Sequence, residues 1–223
     1  MRRILVTGSS GLIGRYLQPA LVAQGYKPVA FDVEDATGDV TSSDSLNAAI
    51  QHCCGIVHLA AVSRVVVAER YPDRCWSTNA IASEAMCKAA LSAKQRPWLL
   101  VASSREVYGR SSTLPVSEDA PLAPVNIYAR SKVYMENAVG VAMKRGLKSA
   151  IVRLSNVYGC SKDHRDRVLP AFCQAALANT TLRVDGNDTL FDFTHVSDVV
   201  RGITSAVLQL EASDSSLPPI HFV

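Results

Sequence analysis

Ile4-Leu5-Val6-Thr7-Gly8-Ser9-Ser10-Gly11-Leu12-Ile13-Gly14 is the stretch on which the fold of this chain turns. Residues 3–7 are short, apolar and β-rich, the composition of a strand covered on both faces. The glycines that follow, spaced GxxGxxG, divide the work of a phosphate-binding turn: Gly8 permits a tight bend, Gly11 lets the backbone approach a pyrophosphate, and Gly14 brings a new helix close to the strand. The helix N-terminus then offers free N–H groups to phosphate charge. With 12 glycines in 223 residues, such a triplet arises by chance in about 3 chains of 100, so the spacing alone decides little. Its surroundings decide more. After an amphipathic stretch over 15–24 and a break at Gly25, a second strand Pro28-Val29-Ala30-Phe31 ends in Asp32, where a carboxylate accepts the ribose hydroxyls of a dinucleotide. An acid there repels a 2′-phosphate, which favours NAD over NADP as cofactor.

At 223 residues the chain can bury one α/β core and a small appendage, not two full domains. The net charge of +3 is mild and its Lys and Arg are scattered, so neither nucleic acid nor an anionic membrane is implied as a partner. Apolar runs fall short of a bilayer span, and the N-terminus enters a strand directly, without the profile of a signal peptide. The expected location is the cytoplasm. Six cysteines (Cys53, Cys54, Cys75, Cys87, Cys160, Cys173) form no CxxC pair and no zinc-like grouping with His, so reduced, mostly buried thiols are expected, Cys53 and Cys54 ending a helix, and no metal site.

Strands and helices alternate, which argues for a doubly wound parallel sheet with helices on both faces. Helices are expected near 43–52, 73–94, 127–145, 168–178 and 197–210. Strands are expected at 55–59, 98–102, 149–154, around Leu182-Arg183-Val184, and at Pro219-Ile220-His221-Phe222-Val223. Two clusters fall where strand ends would meet the cofactor. Ser103-Ser104-Arg105-Glu106 follows the strand at 98–102, and Tyr128-Ala129-Arg130-Ser131-Lys132 sets a phenol and an ammonium on one helix face at i, i+4. A nearby ammonium and a positive nicotinamide would lower the phenol pKa, so Tyr128 could take a proton from a substrate hydroxyl as hydride leaves the same carbon. Ser104 could hydrogen-bond that oxygen. Glu106 could act as acid or base, or equally bind a backbone amide or pair with Arg105. Asp192 and Asp198 are expected to cap the last helix or its loop, and His58, His164, His195 and His221 read as structural.

With these stations in order, the chain resembles the extended short-chain dehydrogenase/reductase family, the NAD-dependent epimerase/dehydratase group that modifies nucleotide sugars. The resemblance covers essentially all 223 residues. It implies a single NAD-binding Rossmann-type domain over 1–223, with about 156–195 serving as a reduced substrate-binding portion. It implies that Gly8, Ser10, Gly11, Leu12, Ile13 and Gly14 face the cofactor's pyrophosphate side, Asp32 the adenosine ribose, and Asp39 and Val40 the adenine. Leu59, Ala60, Ala61, Asn79 and Ser103 also fall at the cofactor, along with Tyr128 and Lys132. Ser104, Tyr128 and Lys132 match the catalytic triad, with Glu106 beside it. Ser63, Ser104, Asn156 and Arg167 fall on the substrate side. The helices at 73–94 and 127–145 resemble those that pair two subunits, which implies a homodimer.

Three departures stand out. Many relatives carry at the position of Phe191 an arginine that holds the nucleotide diphosphate; Arg167 or Arg183 would have to substitute. Relatives also usually continue past the strand resembled by His221-Phe222-Val223, so the chain is either naturally minimal or truncated. The two residues after the Ser/Thr are typically Asp and Glu in sugar dehydratases, and only Glu106 remains here. Epimerisation is therefore better supported than elimination, with dehydratase and simple reductase as alternatives. A non-catalytic NAD-binding module is the alternative of another class.

Overall fold

In the computed structural model, which describes every residue except 112, 161, 162, 183, 185–189 and 223, the first strand sorts its side chains between two cores. Ile4 and Val6 join one apolar cluster and Leu5 the other, as the two-residue period of a strand requires. β1 (Arg2–Thr7) runs through the glycine turn into α1 (Leu12–Ala23), and β2 (Tyr26–Phe31) returns parallel beside it. α2 (Ser43–Ile50) and β3 (Gly55–His58) follow, then α3 (Val65–Arg70), α4 (Pro72–Cys75), a π-helical turn (Trp76–Ile81) and α5 (Ala82–Ser92). β4 (Trp98–Ser104) passes through a 3₁₀ turn (Arg105–Tyr108), and after a loop come α6 (Ile127–Lys144) and β5 (Ser149–Leu154). β6 (Asn156–Tyr158), α7 (Val168–Leu177), β7 (Phe193–His195), α8 (Val196–Ala212) and β8 (Ile220–Phe222) complete the described chain.

Six strands make one parallel sheet in the order β2-β1-β3-β4-β5-β8, the Rossmann-type doubly wound arrangement. Leu17 and Leu21 of α1 and Val199, Ile203 and Val207 of α8 cover one face. Leu46 and Ile50 of α2, Met86 of α5 and Met135 and Val139 of α6 cover the other. The winding reverses between β1 and β3, so a crevice opens at their carboxyl ends, where open α/β sheets take ligands. β6 pairs with β7 in a separate two-stranded sheet beside that crevice.

Several expectations change. The helix expected over 73–94 is interrupted by the π turn, because Asn79 within it is buried and its side chain grips both the N–H and the C=O of Val62. Leu182 and Val184 belong to no strand, and Arg183 lies outside the described residues, as does Val223. α2 ends at Ile50, before Cys53 and Cys54, and the thiols are not mostly buried: Cys53, Cys75 and Cys87 are, Cys54 and Cys160 are half-buried, and Cys173 is exposed. α8 is capped by His195, whose Nδ1 accepts from the Ser197 N–H at 3.3 Å. Asp198 sits in the first turn and pairs with Arg201 at 3.0 Å, where its charge favours the helix N-terminus without capping it. Asp192 uses its backbone carbonyl, which accepts from Ser155 Oγ at 2.7 Å and so anchors β6.

Candidate functional site

A cavity of about 930 Å³ opens along the carboxyl ends of the sheet, walled on one side by the glycine turn and on the other by the β4 end, α6 and the 154–170 segment. At the turn, Gly8 has a φ of +70°, and a Cβ there would lie 2.7 Å from the Ala60 nitrogen. A Cβ on Gly14 would lie 2.4 Å from the Gly8 carbonyl oxygen. The β1 turn, α1 and the loop after β3 therefore meet at a separation that only glycine permits. α1 begins at Gly11 with no side-chain cap and no acid in its first turn, so the amides of Leu12 and Ile13 reach the cavity wall uncapped. That is an anion cradle for a pyrophosphate. Asp32 ends β2 at the cavity, its carboxylate accepting the backbone N–H of Ser10 at 3.0 Å and of Glu34 at 2.9 Å. Ser10 also donates its hydroxyl to Asp35. Asp32 and Glu34 thus put negative charge on this end of the cavity, unfavourable to a 2′-phosphate, with the Arg15 guanidinium nearby held by the Ser10 carbonyl. Asp39, Val40, Leu59, Ala60 and Ala61 line the same half. Asn79 does not; buried, it bonds Val62 and Ser131 and shapes the wall from behind. These residues fit a dinucleotide.

At the opposite wall the strand end and α6 bring three side chains together. Asn126 caps α6, its Oδ1 accepting from the Ala129 N–H at 2.7 Å, and so sets Tyr128 and Lys132 on the face turned to β4. The Ser104 hydroxyl stands beside the Tyr128 phenol, close enough to favour its ionised form. Lys132 is buried, donates to the Ala102 carbonyl at 2.8 Å, and holds its Nζ 5.9 Å from the Tyr128 ring centroid. The expected lowering of the phenol pKa draws on the nicotinamide charge as well as on Lys132; in the chain alone, burial pushes Tyr128 up to about 12, outweighing the effect of Ser104, which favours the phenolate. Lys132 is pushed down to about 8 by the same burial, so below that pH it still carries its charge. That charge and burial hold His58 down to about 3, burial being the larger cause. His58 stays neutral between Thr7 Oγ1 at 2.7 Å and Ser83 Oγ at 2.9 Å, a post tying β1, β3 and α5.

Glu106 resolves in favour of pairing: Oε1 lies 3.2 Å from Arg105, and Oε2 accepts from Asn126 at 3.1 Å. Arg105 itself was not singled out by sequence. Its guanidinium stands over the ring of Phe191, 5.5 Å from the centroid, and both line the cavity. A cation thus reaches the neighbourhood of Phe191 from a different element than sequence reasoning considered. Ser63, Asn156 and Arg167 also line the cavity. Arg167 is engaged with Asp163 at 3.4 Å, and Arg64 with Asp166. Asp163, also missed, is buried at 8% exposure, and among the described residues its Oδ2 has no hydrogen-bond partner. No signal in the sequence marks it, because the 160–167 stretch has neither period nor motif. Among the described residues no group of three or more His, Cys, Asp or Glu is placed to hold a metal ion.

Known proteins match this arrangement. Residues 4–218 match the NAD dependent epimerase/dehydratase family. The chain is 27% identical over 251 residues to a UDP-glucose 4-epimerase of Dictyostelium discoideum, covering 94% of this chain and 73% of that protein. It is 31% identical over 237 residues to a UDP-N-acetyl-alpha-D-glucosaminuronate decarboxylase of Bacillus cytotoxicus, covering 92% of this chain and 71% of the relative. Among solved structures, UDP-glucuronic acid 4-epimerase of Bacillus cereus, in complex with UDP-glucuronic acid and NAD, superposes with a TM-score of 0.86 at 25% identity, covering 98% of this chain and 76% of that one.

Proposed function

Since the chain belongs to the NAD-dependent epimerase/dehydratase family, we propose that it is an epimerase that inverts C4 of a nucleotide-linked hexose with NAD as its cofactor. One observation carries hydride-transfer chemistry: Ser104, the buried Tyr128 and Lys132 line the same cavity as the uncapped start of α1. Gly8, Gly11, Gly14 and the first amides of α1 hold the pyrophosphate, and Asp32 the adenosine ribose. When bound, NAD supplies the hydride acceptor and donor for the sugar carbon. Tyr128 moves the proton of the sugar hydroxyl at its phenol oxygen, Ser104 holds that hydroxyl in line, and Lys132 sets the charge beneath the phenol. Burial of the whole group excludes water from the transfer. We assign the substrate-binding part to residues 156–195, with Ser63 across the cavity. Dehydration is the second reading, favoured by the retained Glu106. Against it stand the cation Arg105, where dehydratases have an acid, and the Glu106 carboxylate already held by Arg105 and Asn126.

The test is to identify the dinucleotide that co-purifies by native mass spectrometry, then to incubate the protein with UDP-hexoses and follow the products by NMR and mass. A C4 epimer of unchanged mass supports the proposal. A product lighter by one water moves the assignment to dehydratase, and NADP in place of NAD overturns the reading of Asp32.

Trp76 rests on Tyr134 with ring centroids 5.4 Å apart, while Ile81 and Val141 are exposed near them on the helical layer. We propose that this layer pairs two chains into a homodimer. Light scattering should give twice the 24.0 kDa of one chain; a mass of one chain across micromolar concentrations removes the claim. Among the described residues no helix is long and apolar enough to cross a membrane. The free thiols of Cys53, Cys54, Cys75, Cys87 and Cys173 fit a reducing compartment, and we place the protein in the cytoplasm.

A further inference from the structure

We infer that Arg105 selects a nucleotide sugar whose hexose carries a carboxylate at C6, a nucleotide-linked uronate; this rests on the nucleotide-sugar reading above. Arg105 directly follows Ser104, whose hydroxyl caps the turn by accepting from the Glu106 N–H at 3.2 Å, so its backbone is anchored beside Tyr128 at the reacting end of the cavity. In a hexose oxidised at C4, the C6 substituent is two bonds from the reacting carbon, whereas the nucleotide diphosphate sits on C1 across the ring. A cation anchored one residue from Ser104 therefore lies within a side chain's reach of the C6 group.

The local geometry leaves this cation available. Arg105 is about one-third exposed, its side chain at 38%, on the cavity wall and steadied over Phe191. Glu106 takes one of its N–H groups at 3.2 Å, and the second oxygen of that carboxylate is drawn to Asn126. A guanidinium has five N–H donors in a planar fork, so a two-pronged contact with an incoming carboxylate remains open. Arg64 and Arg167, also on the cavity wall, are held farther along the chain by Asp166 and by Asp163 with the Val157 carbonyl. A neutral hydroxymethyl at C6 would cover the Arg105 donors without replacing their water, whereas a carboxylate replaces it with charge-assisted bonds.

The test is calorimetric titration of the NAD-saturated chain with UDP-glucuronate, UDP-glucose and UDP. The wild-type protein should bind UDP-glucuronate about tenfold more tightly than UDP-glucose. Arg105→Gln should bring that ratio to about one, and Arg105→Lys, which keeps the charge but loses the fork, should retain part of it. A wild-type protein without preference for the uronate overturns the inference, whatever the variants do. So does an equal weakening of UDP-glucuronate and UDP-glucose in Arg105→Gln, which would put the guanidinium on the diphosphate. Failure to bind any of the three removes the nucleotide-sugar reading itself, and this inference with it.

Discussion

Replacing Tyr128 by Phe is expected to cut turnover by about 10²–10⁴-fold while leaving NAD bound, because the variant keeps the ring packing and loses only the group that moves the proton. The phenol is buried at 8% exposure, and nothing else in the triad can take its place: Lys132 is spent on the Ala102 carbonyl, and Ser104 is far too weak a base. The pH dependence has a definite sign. Burial holds the phenol up at about 12, so the proton-accepting phenolate is the scarce form near neutrality. Turnover should rise between about pH 6 and 8, the range in which Lys132 keeps its charge. In the cofactor-free protein at pH 10, where an ordinary tyrosine is half ionised, the wild-type-minus-variant absorbance at 295 nm should show no phenolate from Tyr128. Added NAD should bring that signal in at lower pH, since a positive charge beside the phenol favours its ionised form. Full turnover by Tyr128→Phe would return the protein to the class of NAD-binding modules.

Arg153→Met should lower the unfolding free energy by about 3–5 kcal/mol and the midpoint of thermal unfolding by on the order of 10 °C. Arg153 is buried on β5 and grips Glu136 of α6 with two bonds, Nε at 3.1 Å and a terminal nitrogen at 2.7 Å. Its other terminal nitrogen donates to the Tyr108 hydroxyl and to the Glu118 carbonyl. Ser103 donates to the same Glu136 carboxylate, and Tyr108 contacts His221 of β8. One network thus joins the strand end that carries Ser104, the helix that carries Tyr128 and Lys132, and the outermost strand. Removing the guanidinium leaves a carboxylate buried without its counter-charge, which costs more than the pair itself contributes. The double variant Glu136→Leu/Arg153→Met should therefore lose less stability than the single one, as denaturant unfolding would show. A single variant within about 1 kcal/mol of wild type would mean that the carboxylate finds other compensation.

The parallel sheet was legible because its evidence is local. Residues 3–7, 55–58 and 98–102 are short apolar runs, and a strand buried on both faces needs nothing else to declare itself. The glycine turn was legible for the same reason: Gly8 and Gly14 mark places where a Cβ would strike backbone, and that constraint is written in the residue type. Ser104, Tyr128 and Lys132 could be paired because i, i+4 on a helix and the end of a strand are positions countable along the chain. Asn79 illustrates the limit. Its place in the chain resembles a cofactor contact, but its amide has a better partner in the Val62 backbone, which sequence separation hides.

What the amino-acid order determined alone was the class of the fold, the cofactor it is built for, and the three side chains that gather where β4 and α6 meet the cavity. Those follow from periodicity, glycine sterics and short spacings. Tertiary structure decided the state of those side chains and the character of the substrate half. The rise of Tyr128 and the fall of Lys132 come from burial by residues distant in sequence, and the pairing of Glu106 with Arg105 and Asn126 and the stacking of Arg105 on Phe191 are contacts made across the fold. Charges and hydrogen bonds of that kind depend on distance in space and on exclusion of water, and neither is encoded in spacing along the chain.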